Sequence, residues 1–345
     1  MLNMTCSVII LNWNGEAMLR RYLPSVIQHT QCDGVELVVA DNASTDSSIA
    51  YLQTQPAIRI IQLEQNYGFA EGYNRAISQV NSEYVVLLNS DVEVTDGWLN
   101  PLLSYMRTHA HVAAVQPKIL SWQSKEDAIA SGSDDILFEH AGAAGGMIDC
   151  LGYPYCRGRF LTHLEADHGQ YDQITPIFWA SGACLLIRRE IYLKEGGLDA
   201  KFFAHQEEID LCWRLNSRGY SVVAVPQSSV YHLGGGALGY ESPRKTFLNF
   251  RNNLLMLYKN LPTISLIVVF VVRFFMDYVA ALQMLCAGKL SNAKAVVQAR
   301  TAFWRMKREY VAIRKSNLSA SVNAYPSLIS KRSIIVDYYL LQKRK

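Results

Sequence analysis

Residues 85–94 read VVLLNSDVEV, and the way this run ends decides the fold. No polar residue alternates through Val85 to Leu88, so the pattern predicts a strand buried on both faces. Asn89-Ser90-Asp91 follows at once. A buried strand that stops at a carboxylate delivers it to the carboxyl edge of a sheet, where ligands sit in open α/β folds. A polar-X-Asp turn there suits a hard divalent cation held through oxygen. Taken alone, the run reads equally well as a strand closed by an Asx turn.

Three other segments end on the same edge. Val8 to Leu11 is an apolar strand that breaks at Asn12-Trp13-Asn14-Gly15, and Leu37 to Ala40 breaks at Asp41-Asn42-Ala43-Ser44-Thr45-Asp46. The stretch from Gln65 to Asn74 leads into a helix expected to start near Arg75. Each places amides, carboxylates or close-approach glycines just after a strand or at a helix start. Strand–helix alternation to about residue 120 predicts parallel strands with helical crossovers. The Gly68-to-Gly72 spacing is not the dinucleotide fingerprint, and no Lys follows these glycines, which argues against a dehydrogenase and excludes a P-loop.

SVIILNWNG (7–15), VVADNASTD (38–46), QNYGFAEGYNRA (65–76) and LLNSDVEV (87–94), in this order and spacing, resemble the inverting glycosyltransferases of family 2. The nearest likeness is to the bacterial rhamnosyltransferase-like branch that builds surface polysaccharides, and it covers about residues 5–260. The resemblance implies an α/β, GT-A fold: a Rossmann-like nucleotide half (1–120) and an acceptor half (121–260) on a mixed central sheet. Residues 261–345 follow as a helical, apolar-then-basic, membrane-associating region. It also implies a nucleotide-diphosphate sugar donor (dTDP- or UDP-linked), Mg²⁺ or Mn²⁺ as cofactor, and a glycan or polyprenyl-linked acceptor.

The same resemblance distributes roles. Asn12 and Asp41 hold the base and ribose; Asn66, Gly68 and Asn74 line the floor of the donor site. Asn89 and Asp91 position the metal, with direct ligation resting on Asp91 because Asn89 replaces the family's commoner Asp. His232, followed by Gly234, Gly235 and Gly236, supplies an imidazole ligand from a mobile loop; a lone His is otherwise more often a satisfied structural residue. The acidic run Glu207, Glu208, Asp210 opens a helix expected to reach Arg218. Glu208 aligns with the family's general-base Asp, and Glu207 is the alternative. Acids in a first turn also simply complement the helix dipole. Trp179, Gly182 and Asp210 are assigned to the acceptor side, with core packing as the plain alternative for Trp179.

Composition sets the frame. Half of the 345 residues are hydrophobic, enough for one large α/β domain and an appendage. Seven Cys with no CxxC pair suit a reducing compartment. No secretory signal is evident at the N-terminus, which suits a cytoplasmic protein. Residues 121–175 lack periodicity and read as a long excursion of short strands or mobile loops. Ser221 to Val225 reads as a strand closed by Pro226. From Lys289 to Lys345 there are 13 Lys and Arg against Glu309 and Asp337, a polarity that suits an anionic membrane surface rather than nucleic acid. Ile264 to Ala287 is long and apolar enough to span, but carries Arg273 and Asp277 at i and i+4. Each charge costs roughly 2.5–3.5 kcal/mol at a bilayer centre, so an interfacial helix on the inner face of the cell membrane is expected, with a single span and a core helix as alternatives. Two other functional classes remain open: a nucleotidyltransferase, which would want a basic Gly-rich loop that Asn12–Gly15 lacks, and a non-catalytic membrane scaffold.

Overall fold

A computed structural model describes residues 4–234, 242–339 and 341. The first half alternates as expected: β1 (Met4–Asn12), α1 (Glu16–His29), β2 (Val35–Asp41), α2 (Ser48–Leu52), β3 (Ile58–Gln62), α3 (Gly68–Ser78) and β4 (Ser82–Asn89). Next come β5 (Val92–Val94), α4 (Leu99–Thr108), β6 (Val112–Ser121) and α5 (Trp122–Ser131). β3, β2, β1 and β4 pair in parallel in that order, with Asn12 opposite Asp41 and Leu11 opposite Asn89. Their alternate residues enter two cores: Ile9, Val38, Val85 and Leu87 on one face, Val8, Val39, Val86 and Leu88 on the other. This double burial is why the strands read as unbroken apolar runs.

α3 begins at Gly68, seven residues before the expected start near Arg75. Asn42 and Asn66 explain the early start: Asn66 Oδ1 accepts from the Gly68 N–H at 2.9 Å, and Asn42 Oδ1 accepts from the Tyr67 N–H at 2.9 Å. Gly68 itself has φ +77°, and a Cβ there would lie 2.5 Å from the Phe203 ring, so no other residue fits.

Of the short strands or mobile loops expected for residues 121–175, the structure shows short strands, preceded by a helix that was not expected. Ser121 Oγ caps α5 by accepting from Ser124 N, and only Trp122 and Ala128 of this helix are buried, too few to show a helical period. β7 (Gly146–Ile148), β8 (Pro154–Cys156), β9 (Arg159–Phe160) and β10 (His163–Leu164) then form a small antiparallel sheet. The chain rejoins the main sheet through β11 (Thr175–Ile177) and β12 (Cys184–Arg188), the latter antiparallel between β4 and β6. α6 (Arg189–Lys194) and α7 (Glu207–Ser217) lead to β13 (Ser221–His232).

Pro226 does not end β13. The strand shifts register against β6 between Ala224 and Ser229, and the irregularity absorbs the proline's missing N–H. Beyond it β13 continues and pairs β5, with His232 opposite Val92. The sheet is therefore mixed, with nine strands among the described residues.

The C-terminal region is helical: α8 (Pro243–Asn260), α9 (Thr263–Cys286), α10 (Leu290–Met306), α11 (Val311–Ala320) and α12 (Ile334–Tyr339). Leu254, Leu257, Leu266, Val269 and Phe303 belong to the same core as Val85 and Ile187 of the main sheet, so the helices are packed into the sheet domain rather than hung from it. α9 and α10 form an antiparallel hairpin, with Phe270 against Phe303 and Asp277 bonded to Arg300. A single stripe of α9 is buried, Leu266, Val269, Arg273, Asp277 and Ala281, so the two charges face inward. Ile267, Val268, Val271, Phe275, Val279 and Leu282 face outward and are exposed. A fully packed core helix is thereby excluded.

Candidate functional site

The edge formed by β1, β2 and β4 gathers three of the expected polar groups. Asn12 Nδ2 donates to Asp41 Oδ1 at 3.0 Å and to Ser44 Oγ at 3.1 Å. Ser44 returns two bonds to Asp41, through its hydroxyl at 2.6 Å and its N–H at 2.9 Å. Asn12 Oδ1 is buried and has no partner among the described residues. A Cβ at Gly15 would sit 2.4 Å from that oxygen, so the glycine keeps the space beside it open. Trp13, next in sequence, is 54% exposed at the same edge.

Asp91 and His232 form the second cluster. β13 carries His232 to the end of β5, and its Nε2 lies 3.2 Å from Asp91 Oδ1 and 3.3 Å from Asn89 Nδ2. Glu139, from the excursion, lies 3.5 Å from the opposite ring nitrogen. Burial alone would lower the His232 imidazole, but Asp91 and Glu139 on either side outweigh it and push it up to about 10. Burial alone would raise Asp91, and the facing imidazolium holds it below the usual carboxylate range. The place thus stabilises positive charge. A buried carboxylate oxygen beside an imidazole nitrogen, whose other nitrogen meets a second carboxylate, is a donor set that fits a divalent cation. Among the described residues no group of three or more His, Cys, Asp or Glu side chains is arranged to hold a metal, so phosphate and water would have to fill the remaining positions. Gly235 and Gly236 lie outside the described residues.

The third cluster opens α7. Phe203, His205 and Gln206 have φ of +66°, +70° and +73°, a concentration of left-handed residues that turns the chain sharply into the helix. The Phe203 carbonyl accepts from the N–H groups of Phe69 and Ala70, tying this turn to the start of α3. Glu207 is 4% exposed. Oε2 of Glu207 and Oε2 of Glu208 are both buried without a partner among the described residues. Burial pushes the Glu208 carboxyl up to about 7, and burial with the neighbouring Glu208 charge raises Glu207 well above its ordinary value. The Ser181–Ala183 segment lies alongside: the Ala183 carbonyl accepts from Asn89 N at 3.0 Å, and a Cβ on Gly182 would meet Phe69 at 3.1 Å.

Other expected residues do structural work instead. Asn74 accepts from Tyr192 OH and Leu198 N and donates to Leu198 O, so its amide is consumed in holding the 192–198 turn. Asn66 Oδ1 is taken up by Asn42 Nδ2 and Gly68 N. Trp179 is buried, donates to Met147 O, and packs on Gly146, where no space for a Cβ remains. It offers no face to a sugar. Asp210 has no exposed surface and accepts from Arg214, Lys259 and Asn260, which removes it from the acceptor side. Glu139 was not anticipated, because it lies in a segment without periodicity and its partner His232 is remote in sequence.

The family model of glycosyl transferase family 2 matches residues 7–193, more than half of the chain. The N-acetylglucosaminyl-diphospho-decaprenol L-rhamnosyltransferase of Mycobacterium tuberculosis is 27% identical over 237 residues, covering 65% of this chain and 75% of that protein. The O-antigen biosynthesis protein RfbC of Myxococcus xanthus is 27% identical over 232 residues, 66% of this chain but 17% of that protein. In three dimensions the chain is similar to the mannosyltransferase PcManGT from Pyrobaculum calidifontis in complex with GDP-Man and Mn²⁺, with TM-score 0.52 and 14% identity over 93% of this chain and 86% of the other.

Proposed function

The chain belongs to glycosyl transferase family 2, and on that premise we propose that it is an inverting enzyme that moves a hexosyl or rhamnosyl group from a dTDP- or UDP-sugar to a hydroxyl of a glycan or polyprenyl-linked acceptor in surface polysaccharide synthesis. The observation that carries this reading is Glu208: a half-buried residue at the mouth of a helix, whose Oε2 is shut off from solvent without a partner among the described residues and whose carboxyl desolvation pushes up to about 7. A base poised near neutral pH is what deprotonation of a sugar hydroxyl requires. Glu208 takes the hydroxyl proton as that oxygen bonds to the anomeric carbon; the bond to the diphosphate breaks on the opposite face and configuration inverts. Glu207, raised by burial and by the Glu208 charge, stays protonated beside it and leaves Glu208 as the ionising member.

Asn12 Oδ1 and Asp41 receive the nucleotide, the former offering an unused acceptor, and exposed Trp13 stacks on the base. Asp91 and His232 would hold Mg²⁺ or Mn²⁺, with Glu139 orienting the imidazole. When bound, the metal neutralises charge on the departing diphosphate.

The outward apolar face of α9 supports a seat at the inner face of the membrane, where Trp304 at 56% exposure and exposed Lys294, Arg305 and Arg308 suit an anionic interface. Arg300 and Arg314 are engaged internally, and Lys343 to Lys345 lie outside the described residues, so the described basic surface is smaller than the sequence count suggests. Alkaline carbonate should release the full-length protein from membranes in part; full retention would favour a span.

The test of the chemistry is a panel of UDP-, dTDP- and GDP-sugars with and without Mn²⁺, run on wild type and D91A. Sugar release from one donor, dependent on metal and lost in D91A along with metal-dependent nucleoside diphosphate binding by calorimetry, supports the reading. Pyrophosphate release from a nucleoside triphosphate and a sugar phosphate, with no donor consumed, overturns it.

A further inference from the structure

Arg273 sits in an otherwise apolar helix, faces inward, and is held by partners from three directions. Its Nε donates to Asp277 Oδ1 at 3.1 Å, and its Nη1 donates to Leu151 O at 3.1 Å and Asn253 Oδ1 at 2.6 Å. Its guanidinium lies 4.0 Å from the Tyr153 ring centroid, and Arg300 bonds the other Asp277 oxygen. Burying such a charge is costly and is seldom the most stable choice for a helix whose job is packing.

The next link points to a reason. A guanidinium only donates, so it forces Asn253 to turn Oδ1 toward Arg273 and Nδ2 away. Asn253 Nδ2 then donates to Gly152 O at 2.8 Å and Gln206 Oε1 at 3.2 Å. Gln206 is the left-handed residue immediately before Glu207 and Glu208. The neighbouring Asn252 donates from one amide nitrogen to the carbonyls of Phe202, Ala204 and His205, at 3.0, 2.9 and 2.7 Å. Left-handed non-glycine residues are strained and persist only where their surroundings over-determine them. Here the surroundings are the two asparagines of α8, and one of them is set by α9.

We propose that Arg273 is a positioning residue for transfer: acting through Asn253 and Gln206, it fixes the strained turn that aims Glu208 at the acceptor hydroxyl. The helix that carries the outward apolar face thereby also holds the base in line. The proposal rests on the reading of Glu208 as base.

The test uses the full-length enzyme and its variants R273M, N253A, R273M/N253A and E208Q. R273M removes the fork yet leaves Asp277 paired with Arg300. The expectation is a fall in kcat of roughly 10–100-fold in each of the first two, the scale of a misplaced catalytic group, with donor KM and nucleoside diphosphate Kd unchanged. The double variant should lose no more than the worse single one, since both break one chain. R273K keeps the charge without the fork and should recover only part of the loss. If R273M and N253A lower Tm while kcat per folded molecule stays at the wild-type value, and E208Q is inactive, the positioning proposal falls and the base assignment stands. Wild-type transfer by E208Q removes the base assignment and this proposal with it. Q206G, which touches no buried charge, carries the same expectation should R273M not fold.

Discussion

Two ends of a single helical turn treat buried carboxylates in opposite ways. Asp210 is enclosed by Lys259, Arg214 and Asn260; burial pushes its carboxyl up, but the two cations more than offset that and hold it below the usual range. Glu207, three residues earlier, is buried and Glu208, two earlier, is half-buried; the Oε2 of each is shut off from solvent with no hydrogen bond among the described residues, and both carboxyls rise. Burial is therefore not the discriminating variable. A satisfied buried charge belongs to the architecture, and an unsatisfied one is maintained against the stability of the fold, which is the usual mark of chemistry.

The contrast breaks most visibly under substitution. E208Q should keep donor binding and lose transfer by roughly 10²–10⁴-fold, the ordinary worth of a general base. If E208Q is nearly normal and E207Q is dead in the same transfer assay, the roles move one residue back. D210N should do the reverse. It should leave kcat per folded molecule intact and cost about 3–5 kcal/mol in denaturant unfolding, because Lys259 and Arg214 lose a buried partner. An inactive but fully stable D210N would erase the distinction.

Acidity sharpens it. Glu208 faces Glu207 and the buried thiols of Cys156 and Cys212, both of which burial pushes up so that they stay neutral. With its carboxyl at about 7, kcat should fall tenfold per unit as pH drops below that value, and flat activity down to pH 5 would contradict the assignment. The smallest effect is on stability. A carboxyl whose folded pKa is raised favours the fold below its unfolded pKa and loses that contribution as pH rises through about 7. E208Q should therefore raise Tm by on the order of a few degrees at pH 8 and not at pH 4. D210N has the opposite sign, since the contribution of a depressed carboxyl is present above its unfolded pKa and lost in acid.

Much of the scaffold was legible because its signals are local. β1, β2 and β4 are buried on both faces, so their residues had to be apolar in unbroken runs, and the polar residue that ends each run marks the ligand edge. That rule places Asn12, Asp41 and Asn89 at the ends of the runs, while the roles expected of them came from the family resemblance. What stayed hidden depends on direction or on distance along the chain. The pattern places Asp210 in the first turn of a helix and Asn74 just before one, but gives no sign that Lys259 and Tyr192 would claim them. The i, i+4 pair Arg273 and Asp277 was visible, while the side of α9 it faces depends on Asn253 and Arg300, which lie on other helices. Glu139 had no signal, since its meaning comes only from His232. Pro226 read as a stop because a proline breaks a regular ladder, and a register shift makes the break harmless.

The pairing of Asn89 with His232 spans 143 residues, and this has a bearing on how the protein is made. A ribosome adds about 5–20 residues per second, so the first four strands emerge roughly 7–30 s before the histidine that completes their ligand edge. During that interval the nascent chain holds the Asp91 carboxylate with no imidazole opposite it. The imidazole arrives only with β13, the last strand of the main sheet among the described residues. On the proposed roles of Asp91 and His232, a chain released before β13 would lack the imidazole that faces Asp91, and metal-dependent nucleoside diphosphate binding would be absent from it.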